Sequence, residues 1–383
     1  MRILITTDIA GGVWTYTEEL VHGLLARGHE VSLVVVGGRP GPRHEHWLSC
    51  HPEVSATIVP CPLEWMPEPE PGLSASVEEV RHRVQEAGAD VVHLNQFYYG
   101  AFDLGAPAVV VAHSDVVSWW QSVRGVDPPD DPWFARYRRW VAAGLRGAAL
   151  RVAPTAWIAG RIREIYGTGQ IHVVHNARSP GLFQRFPGRP PLERGPRQRL
   201  VVTAGRLWDE GKGARDLIPV AARLRGEARF VVAGPVEHPA DGDDFPVDAP
   251  GIEWVGALDA NEVASLLVRA QIYAAPARYE PFGLAPLEAA LAGCALVMSD
   301  IPTFRELWDG CALFHPPGRR RCARGLGEGI AWRRRASGGP RRRRTGAGSR
   351  AVHAGTHGCR VRGSVPGCHE PSRPTSRSGR VIP

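Results

Sequence analysis

The chain has 383 residues, more than one hydrophobic core usually serves, so two domains are expected. Its hydrophobic share of 43% and charged share of 22% are those of a soluble globular protein, and no stretch resembles a membrane span. The net charge of +7 is uneven: residues 317–383 hold 17 Arg, no Lys and two acidic residues, a net of +15 that leaves −8 for residues 1–316, so the basic average is no argument that the body binds nucleic acid.

In chain order, MRILITT reads as a strand. The run meets Asp8 too early for a signal peptide, and a cytoplasmic protein is expected. DIAGGV follows as a tight glycine loop, WTYTEELVHGLLARGHE as a helix and VSLVVVG as the next strand. This βαβ opening is the signature of a parallel α/β sheet. Further strands are expected at ADVVHLN, PAVVVAHS, LRVAPT and IHVVHNA, with the helix AWIAGRIREIYG between the last two. Arg39–Pro71 and Ser118–Trp133 read as loops. Together these form a first domain, residues 1–178. SPGLFQRFPGRPPLERGPRQ, rich in Pro, Gly and Arg, is a linker over 179–198.

The βα rhythm then restarts. RLVVTAGRL is a strand, GARDLIPVAARLRG a helix, ARFVVAG and GIEWVGAL strands, NEVASLLVRA a helix, IYAAPAR a strand, LAPLEAALAG a helix and CALVMSD a strand. These make a second domain, residues 199–316. The expected fold class is α/β, with two Rossmann-like domains facing a cleft into which strand ends and glycine loops converge. Residues 317–383 differ in kind: Arg, Gly, Pro and Ser dominate and no helical or strand period survives. A disordered basic tail is expected there, of the composition that a shifted reading frame in GC-rich DNA produces. Contact with an anionic membrane is a further candidate for it. The seven cysteines are scattered with no C-x-x-C pair, which fits reduced thiols.

Chemistry concentrates in a few loops. In RYEPFGLAPLEAALAG, Glu280 and Glu288 flank a strand-to-helix turn, and the backbone N–H groups around Phe282, Gly283 and Leu284 open a helix, a position that favours phosphate. A carboxylate pair beside such a cradle suits sugar and ribose hydroxyls, although the same charges also suit an ordinary helix start. GRLWDEGKG holds the chain's single lysine, Lys212, between Gly211 and Gly213, with Arg206 nearby. Two cations at a strand's C-terminal end can grip a diphosphate, and a slim ammonium fits where a guanidinium does not. Gly11 and Gly12 permit close approach of a phosphate, but DIAGGV is not G-x-G-x-x-G, which disfavours a nicotinamide reading. His113, ending PAVVVAHS, is a cleft hydrogen-bonding group or a core histidine; Asn176 is a cleft residue or a loop cap; Trp119 and Trp120 read as packing. No Ser-His-Asp or metal-ligand spacing stands out.

Taken together, GGVWTY, VVVAHS, VVHNA, GRLWDEGKG and EPFGLAPLEAALAG resemble glycosyltransferase family 4, retaining enzymes of GT-B fold that use nucleotide-diphosphate sugars. The resemblance runs from Met1 to about Pro316. It implies that Glu280 lies near the donor sugar and reaction centre and Glu288 on the nucleotide ribose. It implies that Arg206 and Lys212 hold the donor diphosphate, with Gly12, Phe282, Gly283 and Leu284 around it, and that His113 stands beside the sugar. It further implies no metal and no cofactor, a nucleotide-sugar donor, and a sugar, lipid or small-molecule acceptor. A phosphorylase of the same fold needs a lysine for pyridoxal phosphate, and the only lysine lies in the phosphate loop. The family's chains continue past the second domain into helices that cross back onto the first, where this chain has its arginine-rich stretch. That departure leaves a non-catalytic remnant, binding nucleotide sugar at most, as the alternative, and implies an exposed apolar patch on the second domain.

Overall fold

The computed structural model describes residues 1–181, 198–237 and 244–317. The first lobe runs β1 (Arg2–Asp8), α1 (Gly12–Leu25), β2 (Glu30–Val36), α2 (Pro42–Ser49), β3 (Ser55–Ile58), α3 (Gly72–Ala87), β4 (Val91–Leu94), β5 (Ala108–Val111), α4 (Val116–Arg124), α5 (Pro132–Gly147), β6 (Leu150–Ala153), α6 (Ala156–Tyr166) and β7 (His172–Val173). Its strands lie in the order β3-β2-β1-β4-β5-β6-β7 and pair in parallel. A parallel sheet covered on both faces needs near-continuous apolar strands. Leu33–Val36 and Leu4–Ile5 supply them, each at most 1% exposed.

The second lobe runs β8 (Gln198–Ala204), α7 (Ile218–Arg223), β9 (Arg229–Ala233), β10 (Ile252–Trp254), α8 (Ala260–Arg269), β11 (Ala270–Ala275), α9 (Leu284–Leu291), β12 (Ala295–Ser299), α10 (Pro302–Trp308) and β13 (Leu313–His315). Its order is β10-β9-β8-β11-β12-β13, again parallel. In each sheet the chain order reverses once at a central pair, β1/β4 and β8/β11. Crevices open beyond the carboxyl ends of strands at such switch points. The loops leaving β1, β8 and β11 are those that carry Gly12, Lys212 and Glu280.

The two lobes are tied directly. Tyr279 of the second lobe is 4% exposed and packs within the first lobe's core. Its hydroxyl accepts the Asp115 N–H at 3.2 Å and lies 2.9 Å from Ser118 Oγ. The Trp119 indole donates to Asp209 at 3.1 Å, Thr155 Oγ1 donates to the Pro281 carbonyl at 3.0 Å, and the Glu306 carboxylate accepts the N–H groups of Ala156 and Trp157 at the start of α6.

Several expectations change. Arg39–Pro71 and Ser118–Trp133 are not plain loops: they contain α2, β3 and α4, and α5 begins at Pro132. The prolines hid this, yet Pro42, Pro132 and Pro302 each sit at a helix's first turn, where the missing N–H costs nothing. GARDLIPVAARLRG is not one helix: a 3-10 turn at Ala214–Leu217 precedes α7, because Pro219 is tolerated only in a first turn. IHVVHNA pairs over His172–Val173 alone. Cys311 is disulfide-bonded, against the expectation of reduced thiols; pairing is not readable from spacing. Among the described residues, the exposed large apolar side chains on second-lobe strands, Trp254 and Leu313, lie on β10 and β13 at opposite edges of the sheet. The remainder of the linker and the residues from 318 onward lie outside the described residues.

Candidate active site

Backbone geometry builds the lysine loop first. Asp209 Oδ1 accepts the Gly211 N–H at 2.8 Å, and Glu210–Lys212 closes a single 3-10 turn. Gly213 then adopts φ +65°, and a Cβ there would collide with the Pro276 carbonyl, so this position is bound to glycine twice over. The Gly211 carbonyl accepts N–H groups from Arg278 (2.8 Å) and Tyr279 (3.1 Å). Arg278 also reaches the Glu210 carbonyl and makes an ion pair with Asp216 at 2.8 Å. The loop after β8 is thereby fastened to the loop after β11, and Lys212 stands beside Glu280, its Nζ 2.6 Å from Oε2. Arg206 Nη2 pairs with Asp209 Oδ2 at 2.8 Å. Burial pushes the Asp209 carboxyl up, but Arg206 and Lys212 outweigh it and hold the group below the usual carboxylate range.

The first lobe meets this cation pair with its glycine loop. A Cβ on Gly11 would stand 3.7 Å from Arg206 Nη1, and one on Gly12 3.7 Å from Leu284 Cδ1. The start of α1, the start of α9 and the Arg206 side chain thus converge. Side chains of Asp115, Asp131, Thr155 and Asp259 cap α4, α5, α6 and α8; α1 and α9, like α3, α7 and α10, have no side-chain cap. At α9 the N-cap is Gly283 with φ +92°, next to the buried Phe282 ring. Two helix starts beside the Arg206 guanidinium make a place for an anion, with Lys212 further along the same loop.

His113 lies on the first-lobe wall of the cleft. Its Nε2 is 2.9 Å from Asn95 Oδ1, and its ring meets Tyr16 edge-on at 4.4 Å. Burial, with His93 nearby, pushes its pKa down to about 3; burial takes His93 to about 4. Both rings are neutral at physiological pH. Glu64, buried where it accepts the N–H groups of Phe97 and Tyr98, is pushed up to about 7 by desolvation.

Glu288 stands apart from the lysine pair. It accepts from Arg178 Nε at 2.7 Å, while Arg178 Nη1 donates to Glu19 at 2.9 Å. Burial raises the Glu288 carboxyl against the opposing pull of Arg178. Asn176 Oδ1 is buried without a hydrogen-bond partner, so it caps nothing. The sequence reading missed Arg178, Asp209 and Tyr279. Asp209 and Tyr279 lie inside the quoted motifs; Arg178, the last residue of the first domain, carried no local signal. A cavity of about 350 Å³ lies beside Glu280, lined among others by Trp157, Tyr279 and Thr303, and neither Arg206 nor Lys212 lines it.

Among the described residues no helix is long and apolar enough to cross a membrane. Residues 10–180 match the family described as Glycosyltransferase Family 4, and residues 198–323 match Glycosyl transferases group 1. A glycogen synthase of Mycobacterium tuberculosis is 29% identical over 236 residues, 55% of this chain and 52% of that protein. The chain thus spans about half the length of that relative. A D-inositol 3-phosphate glycosyltransferase of an Arthrobacter species is 25% identical over 79% of this chain and 77% of its own. Among solved structures, sucrose-phosphate synthase of Thermosynechococcus elongatus superposes with a TM-score of 0.66 at 18% identity, covering 86% of this chain and 90% of that one. HepE of Anabaena in complex with UDP-glucose gives 0.65 at 18% identity, covering 87% and 89%. These likenesses share the two-lobed GT-B fold. Each lobe thus carries a glycosyltransferase domain match, Family 4 in the first and group 1 in the second.

Proposed function

We propose that this protein transfers a sugar from a nucleotide-diphosphate donor to an acceptor hydroxyl with retention of anomeric configuration. The observation that carries the reading is the approach of the first lobe's glycine loop to Arg206 and to the start of α9, with Lys212 on the same second-lobe loop as Arg206. The donor's pyrophosphate lies there, its oxygens taken by the two cations and by N–H groups from Gly12 and from Phe282–Leu284. HepE, bound to UDP-glucose, is a fold neighbour whose ligand has this chemistry.

As the C1–O bond to the phosphate breaks, negative charge grows on the leaving diphosphate, and fixed cations and amides stabilise that charge more than the ground state. The acceptor oxygen bonds to C1 from the same face, and its proton passes to the departing phosphate oxygen. Glu280, anchored by Lys212, sets the sugar hydroxyls. His113, neutral and held by Asn95, offers a hydrogen bond that does not titrate. Glu288 takes the ribose. A sugar, lipid or small-molecule hydroxyl is the acceptor, and the cytoplasm is the setting this chemistry suits.

The second reading is a remnant that binds nucleotide sugar without turnover, favoured by the end of the family match at residue 323. Both are tested in one sample. UDP- and GDP-sugars are titrated by calorimetry, and release of nucleoside diphosphate is followed in the same cell. Binding with release supports the transferase; binding alone supports the remnant; neither removes the proposal.

A further inference from the structure

Glu19, Arg178 and Glu288 form a largely buried chain of charge that crosses between the lobes. Their side chains are 14%, 6% and 13% exposed. Glu19 comes from α1 of the first lobe, Glu288 from α9 of the second, and Arg178 from the segment that leaves the first lobe after β7. Ser179 strengthens the anchor: its N–H and its Oγ both donate to Glu19, at 3.0 and 2.7 Å. Arg178 uses different nitrogens for its two carboxylates, Nε for Glu288 and Nη1 for Glu19, a division that a guanidinium permits and an ammonium does not.

We infer that Arg178 is a positioning residue for the nucleoside ribose, acting through Glu288; this rests on the reading of Glu288 as the ribose ligand. Burial alone disfavours the charged Glu288 carboxylate, and Arg178 opposes that. The Arg178 bond engages Oε1 only, and Oε2 has no protein partner among the described residues. A carboxylate pinned at one oxygen presents the other in a fixed direction to a hydroxyl pair. Because the far end of Arg178 is tied to α1, the ribose contact is set by both lobes rather than by α9 alone. Single-lobe placement of Glu288 would need no arginine from the crossover segment.

The test uses UDP and GDP, continuing with whichever binds more tightly, against its 2′,3′-dideoxy counterpart. Calorimetric Kd values are compared for the native chain and for Arg178→Ala, Arg178→Lys and Glu19→Gln, with the thermal midpoint of each recorded. The native chain is expected to favour the hydroxylated ribose about tenfold or more, the worth of a hydrogen bond to a charged group. In Arg178→Ala that preference falls to within about twofold, Arg178→Lys lies between, and Glu19→Gln shifts the same way by less. Equal weakening of both nucleotides in Arg178→Ala, or no change in either, overturns the inference and leaves a structural ion chain. If the native chain does not distinguish the two riboses, the ribose reading of Glu288 fails and the inference with it, an outcome distinct from the first. Should Arg178→Ala not fold, the Lys and Gln variants decide, since each keeps part of the ion chain.

Discussion

On the first lobe's side of the cleft, His93, His113 and Tyr16 are half-buried and uncharged, held by hydrogen bonds and ring contacts. On the second lobe's side, Arg206, Lys212, Glu280 and Glu288 are all held in ion pairs. The difference reflects the neighbours available to each. Strands β4 and β5 run straight into the core, so a group at their ends is desolvated and loses its charge. The loops after β8 and β11 carry opposite charges side by side, and partial burial strengthens their pairing. One wall can shape a neutral sugar while the other meets a pyrophosphate.

The sharpest way to break this division is to remove the notch's charge. Lys212→Ala is expected to lower turnover of a nucleotide sugar by about 100-fold or more, because it removes a cation from the leaving group and frees Glu280 from its partner. Steady-state rates check it, and a loss below tenfold would move the diphosphate elsewhere. Gly213→Ala tests the framework instead: collision with the Pro276 carbonyl and a positive φ should cost about 2–4 kcal/mol in denaturant unfolding. An unchanged midpoint would show that the two loops are not fastened as described.

The neutral wall is probed through pH. Glu64 is raised in the folded state to about 7 from 4.5, so its stabilising contribution is full below about 4.5 and is lost as pH rises through 7. His93 and His113 are depressed to about 4 and about 3, so theirs is present above 6.5 and lost as pH falls toward those values. On these three groups thermal stability should peak near pH 7. Glu64→Gln should gain about 1–2 kcal/mol relative to the native chain at pH 8 and nothing at pH 5. The smallest effect concerns Tyr279→Phe. Loss of the hydroxyl that meets Ser118 and Asp115 should lower turnover about three- to tenfold with little change in nucleotide binding, since the lobes lose one cross-contact while the cations stay.

Both sheets were legible where strands are buried on two faces: VSLVVVG and RLVVTAG advertise themselves by unbroken apolar runs. Helices α2, α4 and α5 were not, because proline and tryptophan hide amphipathic periods and prolines at helix starts look like loop markers. The loops that carry Lys212 and Glu280 stood out because glycines and strand ends mark them. Their pairings were not: that Lys212 meets Glu280, or that Arg178 bridges two lobes, depends on contacts spanning 68 and up to 159 positions, which no local pattern encodes.

The measurement that bears most directly on the notch compares nucleoside diphosphate with nucleoside monophosphate. With UDP against UMP, or GDP against GMP, calorimetry on the native chain should show the diphosphate bound about 10- to 100-fold more tightly, and Lys212→Ala should erase most of that gap. Equal affinity for the two nucleotides, or a preference that survives the loss of Lys212, would contradict a pyrophosphate held by these loops.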